Sequence, residues 1–217
     1  MVDFERARQT MVDNQLRTSN VTDRRVLAAM LTVPRELFVP PARQALAYID
    51  DAHDLGHGRA MPAPAPFAKL VQLAEIEPTD AVLDLGAGLG YSTAVLAQLA
   101  HEVVGVEIDP TLAAEAQKAL SAAGVGNAEV IVGSYADVYP GSKGFDVIML
   151  EGAVDEVPHG LFRLLRDGGR LVSLIRQGPA AVAHVFVKSG EAVNSRAEFN
   201  ANLPPLKAEK PAETFVF

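Results

Sequence analysis

Short apolar runs alternate with helix-length stretches through the second half of the chain, a pattern typical of strands connected by helices. The predicted strands are residues 81–85, 102–107, 129–132, 145–150 and 170–175. Helices are predicted between them at residues 91–99, 112–122 and 161–165. Strands that alternate with helices imply right-handed crossovers and a parallel sheet covered on both faces. The pattern therefore predicts an α/β fold with a doubly wound, mostly parallel sheet.

The C-terminal part of the chain shows a different pattern. Two further apolar runs, residues 184–187 and 192–196, flank the pair Ser189 and Gly190. Two short runs separated by a serine and a glycine are typical of a β-hairpin. An antiparallel hairpin is therefore predicted to complete the sheet.

The N-terminal region has a helical pattern. Apolar residues recur there at roughly helical intervals, at Phe4, Ala7, Met11 and Leu16. Asp3 precedes them as a suitable N-cap, so an amphipathic helix is predicted to open the chain. A second helix is predicted to start near Thr22 and Asp23 and to end at the break before Pro34.

The segment from residue 40 to residue 66 is dense in proline and glycine. Such a composition disfavours a helix and is common in functional loops. We interpret residues 40–66 as an ordered active-site loop, followed by a helix at 67–75.

A glycine-rich turn follows the first predicted strand of the sheet. Residues 84–90 read DLGAGLG, which places glycines at alternate positions after an acidic residue. A dinucleotide-binding turn requires the spacing G-x-G-x-x-G. That spacing fails here, because Tyr91 stands where the third glycine belongs and a start at Gly88 ends on Thr93. The turn therefore does not fit NAD, whereas an acidic residue followed by alternate glycines resembles the cofactor loop of class I S-adenosylmethionine-dependent methyltransferases.

The next predicted strand ends in Glu107, whose carboxylate can accept hydrogen bonds from both hydroxyls of a ribose. NAD would use the same geometry, so Glu107 supports a ribosyl cofactor without choosing one. The alternative is a structural turn at residues 84–90 and a solvated strand end at Glu107.

Further candidates lie where the other strands end. Ser134 and Tyr135 are predicted to border the adenine, although a buried structural tyrosine is an equal interpretation. Glu151 is predicted to face the cofactor or the acceptor, or else to cap the following helix. The complete predicted cofactor-binding set is Asp84, Gly86, Ala87, Gly88, Gly90, Tyr91, Glu107, Ile108, Ser134, Tyr135 and Glu151.

Several motifs together resemble one enzyme family. They are VPRELFVP at 33–40, AYID at 47–50, LGHG at 55–58, residues 82–97, FDVI at 145–148 and GGRLV at 168–172. These segments are similar to protein-L-isoaspartate O-methyltransferases, which are class I S-adenosylmethionine-dependent methyltransferases. The joint occurrence of the upstream motifs and the glycine turn is more specific than either alone.

The resemblance implies a Rossmann-like methyltransferase domain over residues 1–217. Residues 1–66 would form the N-terminal helices and acceptor loop, and residues 67–217 the S-adenosylmethionine-binding core. The implied reaction methylates isoaspartyl carboxylates in a damaged protein or peptide and leaves S-adenosylhomocysteine. A carboxylate is already ionised at neutral pH, so the transfer requires orientation and exclusion of water rather than a general base.

The acceptor loop departs from the family. After Gly58 the family usually has QTISQP, whereas this chain has RAMPAP at 59–64. The family's catalytic serine falls on Pro62, which has no hydroxyl, so we assign no catalytic residue. Arg59, Met61 and Pro62 are the predicted substrate-binding residues, with Arg59 either a bidentate partner of the acceptor carboxylate or a solvated loop residue. Glu151 also replaces the small residue usual at that strand end.

Composition bears on the partners, metal sites and compartment that the protein can have. The formal net charge of −8 disfavours nonspecific binding to nucleic acid. No apolar run is long enough to span a bilayer. The absence of cysteine excludes disulfides and thiolate ligands and suggests the cytoplasm, and the five histidines match no metal spacing.

Three hypotheses remain open from the sequence. The first is an isoaspartyl methyltransferase, and the second is a methyltransferase of the same ancestry with another acceptor, because the loop hydroxyls are missing. The third is a non-catalytic module that binds S-adenosylmethionine or a partner protein.

Overall fold

The structure is a computed structural model that describes residues 2–56, 58–134, 144–178 and 180–206. Its α-helices are α1 (Phe4–Met11), α2 (Arg24–Thr32), α3 (Pro64–Leu73), α4 (Tyr91–Ala97), α5 (Pro110–Ala122) and α6 (His159–Leu164). Its strands are β1 (His53–Gly56), β2 (Arg59–Met61), β3 (Ala81–Leu85), β4 (Glu102–Glu107), β5 (Ala128–Val132), β6 (Phe145–Val154), β7 (Leu165–Gln177), β8 (Ala180–Ser189) and β9 (Ala192–Ala201).

The main sheet has seven strands in the order β5-β4-β3-β6-β7-β8-β9. Strands β5, β4, β3, β6 and β7 run parallel to one another. Strand β8 pairs antiparallel with β7, and β9 pairs antiparallel with β8 at the edge of the sheet. The predicted doubly wound, mostly parallel sheet with a C-terminal antiparallel hairpin is confirmed. The carboxyl ends of β3, β4 and β6 therefore lie side by side.

The central strand β3 is buried along its whole length because helices cover both faces of the sheet. Successive side chains alternate between the faces. Val82 belongs to the apolar cluster that includes the N-terminal helices, whereas Leu83 and Leu85 pack with Leu161 and Leu164 of α6. This packing on two sides fixes the strand ends on which the candidate site is built.

The N-cap predicted for the first helix is confirmed, and an aspartate caps the second helix as well. The carboxylate of Asp3 accepts from the backbone N–H of Arg6 at 3.0 Å, and that of Asp23 accepts from Arg25 at 2.7 Å. Helix α1 continues through a π-helical turn and a 3₁₀ turn that ends at Asn20, which has a left-handed backbone.

The prediction that residues 40–66 form a non-helical loop is wrong in part. This segment contains a 3₁₀ helix (Pro41–Leu46), the antiparallel pair β1–β2 and the first turn of α3. Helix α3 begins at Pro64 rather than at residue 67. Proline is accommodated there because the first N–H groups of a helix have no intrahelical partner.

The division at residue 66 stays a prediction, and α3 crosses it. Phe67 of α3 is buried in the same apolar cluster as residues of α2 and of the sheet. Within the described ranges, no helix is long and apolar enough to cross a membrane.

Candidate active site

The turn between β3 and α4 has a backbone that requires glycine. Gly86, Gly88 and Gly90 have φ angles of 91°, 56° and 88°, in the left-handed region that L side chains rarely adopt. The N–H groups of Gly86 and Ala87 both donate to the carbonyl of Val106, at 2.9 and 3.1 Å. These bonds fix the turn against the end of β4.

Asp84 is buried beneath this turn. Its Oδ2 accepts from the hydroxyls of Ser92 and Thr93 in α4, at 2.7 and 2.6 Å. Asp84 therefore holds the first turn of α4 against β3. The hydroxyl partners were not predicted, and a direct contact of Asp84 with the cofactor stays a prediction.

Glu107 at the end of β4 is fully buried and its carboxylate is already engaged. Oε2 accepts from the N–H of Gly88 at 2.7 Å and from Arg59 Nε at 3.2 Å. Oε1 accepts from the N–H of Asp109 at 3.1 Å. The predicted ribose-binding carboxylate thus lies against the glycine turn, but an arginine of the acceptor loop occupies one side of it.

Glu151 is buried beside the glycine turn and near Met61 and Pro62 of the acceptor loop. Among the described residues, neither carboxylate oxygen of Glu151 meets a hydrogen-bond donor, and Oδ1 of Asp84 lacks one too. Burial, and then the charge of Asp84, raises the pKa of Glu151 well above its ordinary value. Two ionised carboxylates offer each other no donor, whereas a proton on Glu151 allows a hydrogen bond to Asp84. We therefore treat Asp84 and Glu151 as a pair that shares a proton.

Arg35 fixes the acceptor loop from below. It is fully buried, and its guanidinium donates to the carbonyl of Ala47 at 2.8 Å and to that of Pro62 at 2.6 Å. The guanidinium carbon lies 4.6 Å from the ring centroid of Tyr91. Burial lowers the pKa of Arg35. The sequence reasoning missed this role, for which the one available signal was an arginine within the apolar motif at 33–40.

Two side chains close the crevice above the glycine turn. A Cβ placed on Gly86 would lie 2.5 Å from Arg59 Nη2 and 2.6 Å from Leu206 Cδ1. Leu206 is held there because its N–H donates to the carbonyl of Ala153 at 2.9 Å. The absence of a side chain at Gly152 lets Leu206 pack this close, since a Cβ on Gly152 would lie 2.9 Å from the Cβ of Leu206. Residue 206 was not predicted to be near the site.

Two small cavities remain in the closed crevice. The Glu151 cavity is bordered by Glu151, Met61, Pro62 and Gly86, among others, and the Glu107 cavity by Glu107, Ile108, Arg59, Gly86, Gly133 and Leu206. Each has a volume of about 10 Å³, which is room for one water molecule. Gly86 borders both cavities.

The remaining predicted residues fall in different places. Ile108 borders the Glu107 cavity, and Ser134 lies beyond the end of β5. Tyr91 borders the Glu151 cavity, but its hydroxyl lies 3.5 Å from the sulfur of Met30 in α2. Tyr135 lies outside the described residues.

The residues of this site fit an adenosyl cofactor. The glycine turn exposes backbone that no side chain of its own covers. Glu107 offers carboxylate oxygens at the end of the adjacent strand, and the Asp84–Glu151 pair, which shares one proton and has further oxygens without a donor, suits a donor such as an ammonium group. Arg59 and Leu206 occupy the space directly above Gly86, so a cofactor bound against the backbone there would displace both side chains.

The described residues contain no group of three histidine, aspartate or glutamate side chains arranged to hold a metal ion. His57 lies outside the described residues.

The sheet order, the glycine turn and the acidic end of β4 define a class I methyltransferase fold. Residues 6–206 match the model of the family described as Protein-L-isoaspartate(D-aspartate) O-methyltransferase (PCMT). The chain belongs to this family.

Individual relatives agree with the family match. The chain is 42% identical to Protein-L-isoaspartate O-methyltransferase 2 of Shewanella sediminis, over 78% of this chain and 69% of the relative. It is 36% identical to Protein-L-isoaspartate O-methyltransferase of Opitutus terrae, over 96% of this chain and 91% of the relative.

A solved structure shows the same fold. It is a Plasmodium falciparum protein described as a protein-L-isoaspartate O-methyltransferase, in complex with S-adenosyl-L-homocysteine. The TM-score is 0.79 at 22% identity, with 92% of this chain and 98% of that chain covered.

Proposed function

We propose that this chain transfers the methyl group of S-adenosylmethionine to the side-chain carboxylate of L-isoaspartyl residues in damaged proteins. The observation that carries the proposal is the family match over residues 6–206. The left-handed glycine turn and the buried carboxylate of Glu107 support it, because they provide a place for an adenosyl group and its ribose.

The cofactor-binding roles follow from position. The backbone at Gly86, Ala87 and Gly88 allows close approach of a ligand, and Glu107 is the acceptor for ribose hydroxyls. Ile108 and Ser134 are assigned to the adenine end. Asp84 and Tyr91 support the glycine turn, because their polar groups contact α4 and α2 respectively.

The chemistry requires no proton transfer at the acceptor. When bound, S-adenosylmethionine supplies an electrophilic methyl group on a sulfonium. An oxygen of the ionised acceptor carboxylate forms the new C–O bond, the C–S bond breaks, and sulfur keeps the electron pair as S-adenosylhomocysteine forms. The protein contributes orientation and exclusion of water, to which the apolar borders of the Glu151 cavity are suited.

The acceptor side has an unusual composition. Met61 and Pro62 border the Glu151 cavity, and neither offers a hydroxyl to an acceptor carboxylate. This observation supports a second candidate function, transfer to a different acceptor by the same cofactor chemistry. A module that binds the cofactor without catalysis is the third.

The partners and compartment remain proposals as well. The substrate is a damaged protein or peptide, and no nucleic acid or membrane partner is proposed for an acidic chain of this kind. The absence of cysteine supports a reducing compartment, and we propose the cytoplasm.

Transfer of radiolabelled methyl groups tests the proposal. An isoaspartyl peptide is expected to acquire label that base treatment releases as methanol, whereas its aspartyl twin is not. Absence of label in the isoaspartyl peptide, with labelled protein in a whole lysate, would favour the second candidate. Absence of label in both, with retained binding of S-adenosylhomocysteine in calorimetry, would favour the third.

A further inference from the structure

The crevice contains many acidic groups and few cations. Asp84, Glu107 and Glu151 are buried around the glycine turn. Among the described residues that border the two cavities, Arg59 is the one cation. The buried Arg35 is engaged by the carbonyls below the loop. An acceptor carboxylate that enters this crevice therefore has Arg59 as its available protein partner.

Glu107 cannot hold Arg59 and a ribose diol together. A carboxylate offers about four acceptor positions. The N–H groups of Gly88 and Asp109 take two of them, and Arg59 Nε takes a third. Two ribose hydroxyls require two positions, so Arg59 must release Glu107 before both can bind.

The position of Arg59 permits a change of partner. Its Nη2 lies over Gly86, which borders both the Glu107 cavity and the Glu151 cavity. Met61 and Pro62 follow Arg59 in the same segment and border the Glu151 cavity. A guanidinium that leaves Glu107 therefore lies next to the place proposed for the acceptor.

We propose that Arg59 is the acceptor-binding cation and that Glu107 holds it until ribose hydroxyls replace it there. This inference rests on the proposed function. It gives this chain a bidentate partner for the acceptor carboxylate where Pro62 offers no hydroxyl. Because one cation serves two anionic partners in turn, the acceptor binds well only after the cofactor or its product.

Calorimetry tests this order of binding. An isoaspartyl peptide is titrated into the chain with and without saturating S-adenosylhomocysteine. The wild-type protein is expected to bind the peptide about tenfold more tightly when S-adenosylhomocysteine is present. Equal affinity in the two titrations would overturn the inference.

Two variants test whether Arg59 carries the effect of S-adenosylhomocysteine on peptide affinity. Arg59→Met is expected to abolish the gain in peptide affinity while binding S-adenosylhomocysteine at least as tightly as the wild type. Arg24→Met, which changes an exposed arginine of α2, is the matched control and should behave as the wild type. A loss of S-adenosylhomocysteine affinity in Arg59→Met, or an unchanged peptide response, would contradict the exchange.

Chemical modification of the wild-type chain avoids any folding defect of the variants. Phenylglyoxal should modify Arg59 slowly in the free protein, faster with S-adenosylhomocysteine, and slowly again when the peptide is added, as followed by peptide mass mapping. Reactivity that S-adenosylhomocysteine does not change would overturn the inference. Failure of the wild-type protein to methylate any isoaspartyl peptide contradicts the proposed function instead.

Discussion

The glycine turn (residues 86–90) and the described part of the acceptor loop (residues 53–56 and 58–66) face each other across one crevice, but different interactions hold them. The turn is fixed by the left-handed conformation of its glycines and by bonds from its backbone N–H groups to the end of β4. The acceptor loop is fixed by partners distant in sequence, Arg35 below and Glu107 above. The comparison shows that backbone conformation and backbone hydrogen bonds hold the cofactor side, whereas the guanidinium groups of Arg35 and Arg59 connect the acceptor side to its surroundings.

The largest effect is expected from Arg35→Met, which removes the support of the acceptor loop. The buried carbonyls of Ala47 and Pro62 would lose their donors. The free energy of unfolding should fall by about 2–6 kcal/mol, since each of the two unsatisfied buried carbonyls costs about 1–3 kcal/mol. Urea unfolding measures this loss. Arg35→Lys is the control, and it should lose less because one carbonyl can keep a donor.

The position of the first proteolytic cut distinguishes a loss of support for the acceptor loop from a general loss of stability. Limited proteolysis of Arg35→Met should cut first within residues 53–66 and leave the sheet intact. Stability equal to that of the wild type, or first cleavage in another segment, would show that Arg35 does not support the loop.

A smaller effect is expected from Gly90→Ala in the glycine turn. The left-handed backbone at Gly90 costs an L residue about 1–2 kcal/mol. A Cβ there would also lie 3.1 Å from the Cβ of Ala116, so α5 must shift slightly. Gly124→Ala is the matched control, because Gly124 has a φ of 71° and open space around it.

Thermal or urea unfolding compares the two glycine variants. Gly90→Ala should lose about 2 kcal/mol and Gly124→Ala about 1 kcal/mol of the free energy of unfolding. If the control loses as much as Gly90→Ala, the contact with α5 contributes nothing and the turn is constrained by its φ alone.

The smallest effect is a change in pH dependence on Glu151→Gln. The pKa of Glu151 is raised in the folded protein, first by burial and then by the charge of Asp84. The folded state therefore binds more protons than the unfolded state above the ordinary glutamate pKa, and stability falls as pH rises towards the raised pKa. Glutamine stays neutral and its amide can donate to Asp84, so this fall should be reduced in the variant.

Unfolding at pH 5 and pH 8 measures the difference. The stability of Glu151→Gln relative to the wild type should be greater at the higher pH. An identical pH dependence in both proteins would mean that Glu151 is ionised in the folded state. Some dependence should remain in the variant, since burial also raises the pKa of Asp84.

The sequence predicted most of the architecture, because periodicity and caps are local signals. The parallel strands, the Asp3 cap and the C-terminal hairpin were all predicted from neighbouring residues. Local reasoning failed where proline occupies the first turn of α3, since proline disfavours a helix interior but not a helix start.

The sequence could not predict how the crevice is closed. Arg59 was predicted to face an acceptor or solvent, and its contact with Glu107 depends on how the β1–β2 hairpin folds over the sheet. Leu206 carries no local signal, and its place over Gly86 follows from pairing with Ala153. Such contacts between distant segments arise from tertiary packing, which periodicity does not report.

A crystal structure of the chain with S-adenosylhomocysteine tests the central claim most directly. The ribose hydroxyls are expected on the carboxylate of Glu107, with Arg59 released from it and Leu206 displaced from Gly86. A ligand bound elsewhere, with the contact between Arg59 and Glu107 intact, would contradict the account.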